Sequence, residues 1–155
     1  MMLTSTQIGE LAAQFFIAGV GTLCFAVLFA CPRKSLFFCG LVGAVGWFVY
    51  ELAVMLGADS AAASLLAVVP LTLLTRVFAI TLKLPVTVFL LSGIFPLVPG
   101  AGIYWTSYYL VTGQMGLAMS SGFAAMKAAI AIVLGIVFVF EIPNGFFRVL
   151  AGKRP

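Results

Sequence analysis

The chain has 155 residues, of which 64% are hydrophobic and only 8% charged, and its mean hydropathy is +1.26. A soluble domain is about half apolar and about a quarter charged, so a water-soluble fold of this length is excluded. The chain reads as an all-α, polytopic membrane protein with one transmembrane domain over residues 1–155. The net charge of +4 does not point to nucleic acid, because the basic residues mark helix ends instead of gathering on one folded face.

A membrane-spanning helix takes about 20 mainly apolar residues at about 1.5 Å each. Five segments meet that length, at 9–30, 36–56, 61–80, 86–111 and 115–140, with a basic tail at 142–155. The first resembles a signal peptide, and Leu28-Phe29-Ala30-Cys31 resembles a degraded lipoprotein cleavage box. A secretory signal, however, starts with positive charge, residues 1–10 hold no Lys or Arg, and Arg33-Lys34 follow the box directly. A retained helix is therefore expected.

The second segment carries Gly40, Gly43 and Gly46 every three residues, a spacing that lets helices approach closely in lipid. Glu51 lies near its outer end, four residues after Trp47 and so on the same face. It lines an outer vestibule, protonates during transport, or is a plain interfacial residue. Three cysteines are too few and too odd in number for a disulfide framework. Cys24 and Cys39 read as small hydrophobes, and Cys31 as a free thiol at a membrane edge. In the third segment Arg76 sits about one turn from the inner end, where it either snorkels or pairs with Glu141.

The fourth segment is interrupted by Gly93-Ile94-Phe95-Pro96-Leu97-Val98-Pro99-Gly100. Two prolines three apart each remove a backbone donor and crowd the preceding turn. At 1.5 Å per residue, Pro96 lies about 15 Å in from Val86, near the midplane of a core about 30 Å thick. Irregular backbone at that depth persists only when buried in protein or facing a wet cavity, and broken spans often mark transporter sites. A half-helix starting near Gly100 would aim free N–H groups at the bilayer centre, a setting suited to a carboxylate. Gly93, Pro96, Pro99 and Gly100 are accordingly candidate substrate-binding residues; a proline kink that only packs is the other reading. Tyr104, Trp105, Tyr108 and Tyr109 suit an interfacial anchor, though Tyr104, nearest the break, can also reach a ligand.

Lys127 lies midway along the fifth segment, where a charge costs about 2.5–3.5 kcal/mol on insertion scales. It needs a partner or water. It can hold a substrate carboxylate, carry a proton with a pKa lowered by burial, or form a structural ion pair with a carboxylate on another helix or subunit. Ser121, Ala125 and Ala129 form a small-residue row suited to helix packing. The tail Pro143–Leu150 mixes apolar and basic residues, as a short interfacial helix does and as a continuation past a kink also does. Seven of the eight basic residues fall on one side of the spans, placing the N-terminus outside and the C-terminus in the cytoplasm. With no histidine, carboxylate pair, metal-ligand spacing or phosphate loop, neither an enzyme, a cofactor nor a metal is expected.

Arg76, Lys83-Leu84-Pro85, Phe89, the Gly93-to-Gly100 string and Tyr104 resemble the signature of the ThrE-type threonine/serine exporter family. Pro32-Arg33, leading into a glycine-rich helix, and the ending Gly152-Lys153-Arg154-Pro155 are also similar. The resemblance is to the small, separately encoded subunit that corresponds to the C-terminal half of fused exporters. It implies export of threonine and serine, or of a dicarboxylate such as succinate, coupled to the proton gradient across a bacterial inner membrane. It also implies a larger five-span companion subunit. An odd number of spans per half puts two joined halves in opposite orientations, with a site at their interface. Two other functions stay open: a structural or assembly subunit that never touches substrate, and a homo-oligomeric channel.

Overall fold

The computed structural model describes residues 5–143 and Phe147, and among these every regular element is helical. The helices are α1 (Ser5–Leu28), α2 (Leu36–Met55), α3 (Ser60–Leu82), α4 (Val86–Ile94), α5 (Gly100–Val111) and α6 (Met115–Phe140). Short 3-10 turns at Arg33–Ser35 and Phe95–Leu97 precede α2 and follow α4. Four of the helices are long and apolar enough to cross a membrane, and α4 with α5 makes a fifth crossing if the bent pair counts as one span. The protein is a multi-pass membrane protein. The expected helical tail at Pro143–Leu150 lies outside the described residues, apart from Pro143 and Phe147.

Local chemistry accounts for the boundaries. Asp59 caps α3 by accepting the Ala62 N–H at 3.1 Å, which satisfies one of the donors a helix start leaves free. At the other end Lys83 adopts a left-handed conformation, φ 53°, and Pro85 keeps Leu84 from continuing the helix. Gly57 and Gly113 supply the positive φ of the turns before α3 and α6. Pro70 sits inside α3 without ending it: one missing donor is absorbed where a pair is not.

The helices pack through small residues. Along α1 and α2, Gly19 faces Ala44 and Gly40, and Gly43 lies so close to Thr22 that an added Cβ would overlap that side chain. Gly46 receives Leu71 of α3, and Gly135 of α6 receives Val68 and Leu65. The glycine row expected to serve packing does so. One core cluster joins Val42, Val68, Leu71, Leu97 and Ile132; another joins Ala26, Cys39, Ala79 and Phe89 nearer the Lys83 end.

Helix α6 runs parallel to α3: Lys127 is level with Asp59, and Arg76 reaches the last carbonyls of α6. Since α3 starts at Ser60, the twelve residues of α6 before Lys127, about 18 Å of helix, extend past the start of α3. Helix α5 packs back along that extension, Gly102 against Ala125 and Thr106 against Gly122. The Ser121 and Ala125 positions of the small-residue row therefore serve helix contact, as expected.

Candidate functional site

The fourth segment breaks where the two prolines stand. Helix α4 ends at Ile94, Phe95–Leu97 form a 3-10 turn, Val98 is extended (φ −60°, ψ 129°), and α5 restarts at Gly100 with its axis turned by 52°. Val98 is forced out of helical conformation by Pro99 behind it. Pro96 and Pro99 have no N–H to give, so the ladder is replaced by local bonds, Val98 N–H to Phe95 O at 3.3 Å and Gly100 N–H to Val98 O at 2.7 Å. The Phe95 ring, exposed to solvent or lipid on one side, stacks on Phe25 of α1 at 4.2 Å between centroids and fixes the turn.

A cavity of about 230 Å³ opens beside this break. Residues 96–102 form one wall, Trp47 and Tyr50 of α2 another, Ser60 and Ser64 of α3 a third, and Ala124, Ala125 and Ala128 of α6 the last. The α5 end of the cavity is bare backbone: Gly100, Ala101 and Gly102 carry little or no side chain, and the cap residue Pro99 makes no side-chain hydrogen bond to the first turn. A helix start of this kind directs N–H groups and partial positive charge at whatever occupies the space. Opposite it are hydroxyls. Tyr50 Oη lies 3.2 Å from Ser60 Oγ, and Ser64 Oγ donates to the Ser60 carbonyl at 2.7 Å. On the far side of Pro96 is a second cavity of about 270 Å³, reached by Gln14, Thr22 and Phe25 of α1. Trp47 and Pro96 stand between the two, and Trp47 Nε1 donates to Gln14 Oε1 at 3.0 Å across the gap between α1 and α2.

Of the residues singled out from the sequence, Pro96, Pro99 and Gly100 meet in the first cavity. Gly93 is buried below it and turned towards Val42, which a Cβ would strike at 2.5 Å. Tyr104 is 61% exposed on α5 with its ring against Trp105, and Glu51 is half-buried one residue past Tyr50. Lys127 Nζ lies 3.9 Å from Asp59 Oδ2, while Ala124 and Ala128 on either side of it line the cavity. Lys127 thus has a carboxylate beside it, but in the open: the two side chains are 50% and 62% exposed, at the rim where α3 begins and not buried midway across the bundle as its place in the fifth segment suggests. Arg76, 5% exposed, grips the end of α6, donating to the carbonyls of Val139, Phe140 (3.4 Å) and Ile142 (2.7 Å). Its guanidinium also lies 4.1 Å from the Phe147 ring centroid. A cation at a helix C-terminus complements the dipole there.

Sequence reasoning did not single out Gln14, Tyr50, Ser60 or Ser64. Signals existed: Gln14 is an amide in an otherwise apolar helix, Tyr50 is three residues from Trp47, and Ser60 and Ser64 are four apart and so on one face.

The sequence matches the family model of the threonine/serine exporter ThrE over residues 14–142. No curated protein and no solved structure matches the chain.

Proposed function

The chain belongs to the ThrE threonine/serine exporter family, and from that membership we propose that it is one subunit of a secondary exporter of small polar metabolites. In this reading α4 and α5 count as a single broken span, giving five crossings with the N-terminus outside and the C-terminus in the cytoplasm of a bacterial inner membrane. A larger five-span companion completes the transporter, and export is coupled to the proton gradient.

One observation carries the reading: the cavity that the broken span makes with α2, α3 and α6. At about 230 Å³ it is smaller than the pockets of drug-sized ligands and suits a solute of a few heavy atoms. The uncapped first turn of α5 is placed to hold a carboxylate, and the Tyr50–Ser60 pair is placed to exchange its hydrogen bond for one to a solute hydroxyl. Amino-acid and short carboxylic-acid substrates both meet these terms.

The test is counterflow of labelled threonine, serine and succinate in proteoliposomes holding the chain with and without its companion. Gly100→Leu is the diagnostic variant, because Gly100 lines the cavity and a Cβ there meets nothing within 4 Å, so a larger side chain crowds the first turn of α5 without displacing protein. Counterflow is expected to fall at least tenfold with unchanged yield. Unchanged counterflow in this variant would instead make the chain an assembly subunit, and non-saturating flux without a companion would make it a channel.

A further inference from the structure

We propose that Asp59 and Lys127 are a charge-reading pair at the mouth of the cavity, favouring solutes that carry one cationic and one anionic group over dianionic ones. This rests on the transport reading above and names its substrate class.

The two charges stand beside one cavity, each next to residues of a different wall. Asp59 immediately precedes Ser60, and Lys127 stands on α6 between Ala124 and Ala128; all three of those neighbours line the space. The Asp59 carboxylate is held in place, since its Oδ1 accepts the Ala62 N–H at 3.1 Å at the start of α3. Its other oxygen is 3.9 Å from Lys127 Nζ, with the two side chains 62% and 50% exposed. A pair this long and this open contributes little to stability, so a solute can displace it at little cost. Lys127 Nζ also stands 5.8 Å from the Phe123 ring centroid, a cation–π contact that keeps the ammonium near the rim when the carboxylate is taken away.

A zwitterion satisfies both halves at once. Its carboxylate meets Lys127 and the free N–H groups of α5, and its ammonium meets Asp59. One loose ion pair is exchanged for two. A dianion places its first carboxylate equally well, but its second faces Asp59, with Glu51 half-buried on α2 at the same end of the bundle. Like charges brought together in this way act as discrimination against the wrong solute.

Asp59→Asn tests this directly, because asparagine caps a helix as well as aspartate does and only the charge is lost. In proteoliposomes containing the full chain and its companion, threonine counterflow is expected to drop about tenfold relative to succinate, the scale of one charge-assisted contact. Asp59→Ser, which also caps, is expected to repeat the shift, and Lys127→Gln to raise KM for both solutes. A threonine-to-succinate ratio that Asp59→Asn leaves unchanged overturns the inference and leaves the transport reading standing. So does wild-type protein that prefers succinate. Wild-type protein that moves neither solute overturns the transport reading and this inference together.

Discussion

Arg76 shows how a cation is accommodated inside an apolar helix bundle. It is level with the end of α6, where carbonyls run short of intrahelical donors, and one guanidinium nitrogen donates to the carbonyls of Val139, Phe140 and Ile142. Arg76→Met removes these charge-assisted bonds at the end of α6 and is expected to lower stability by about 1–3 kcal/mol, read as an earlier thermal unfolding transition in detergent. Arg76→Lys is expected to recover part of this, since one cationic nitrogen can still reach those carbonyls while the flat guanidinium over the Phe147 ring is lost. Cys31, in the turn after α1, makes a second residue-scale prediction. Its thiol and that of Cys39 both point at the Val88 carbonyl, at 3.7 and 3.6 Å. Burial first, and then the neighbouring Cys39, push the Cys31 thiol above its usual range. A raised thiol pKa means less thiolate at any given pH. Alkylation by iodoacetamide at pH 8 is therefore expected to be slower than for free cysteine and to catch up only at more alkaline pH, as measured by mass spectrometry.

At the scale of elements, the contrast between Pro70 and the pair Pro96–Pro99 is instructive. Both were visible in the sequence, and the doubled motif correctly marked where a helix stops, because two missing donors three residues apart leave no ladder to bridge. Four of the five segments likewise coincide with single helices and 86–111 with the pair α4 and α5, since runs of this length and apolarity have one regular solution in lipid. What the pattern did not reveal was height. Lys127 is central in its own helix but sits at the start of α3, and only the offset between α3 and α6 shows this. The polar wall of Tyr50, Ser60 and Ser64 was hidden for a similar reason, as it comes from two helices whose register no local pattern sets. Close packing of α1 on α2 gives an element-scale prediction. Gly43→Ala drives a methyl into Thr22, which is fully buried, and is expected to destabilise by about 1–3 kcal/mol, again read as thermal unfolding. Gly21→Ala on the same helix pair meets nothing within 4 Å and is expected to be neutral.

For the whole molecule, the proposed orientation is open to a labelling experiment. With the three native cysteines replaced by alanine, Gln114→Cys is expected to react with a membrane-impermeant maleimide on intact cells. Lys34→Cys is expected to react only after permeabilisation. The reverse pattern would invert the molecule and turn the cavity mouth towards the cytoplasm. Helix α5 has no buried residue, and much of α6 is open as well, with Met119, Phe123, Met126 and Ile130 each more than half exposed. Lipid covers such a surface readily. A companion subunit that covers it would shield it instead, and photo-crosslinking from Met119 and Met126 in the assembled complex distinguishes the two.

The joint at Val98–Pro99 also shapes the cavity. Its floor belongs to α4 and to the bundle, in which α6 is pinned as well, by Gly135 against Val68 and Leu65 and by Arg76 at its end. Its ceiling is the first turn of α5. No helical ladder bond spans the joint, and the bond that crosses it is the short one from Gly100 N–H to Val98 O. The width of the chamber is therefore set by the 52° angle between two helix axes more than by the rotamers of its lining.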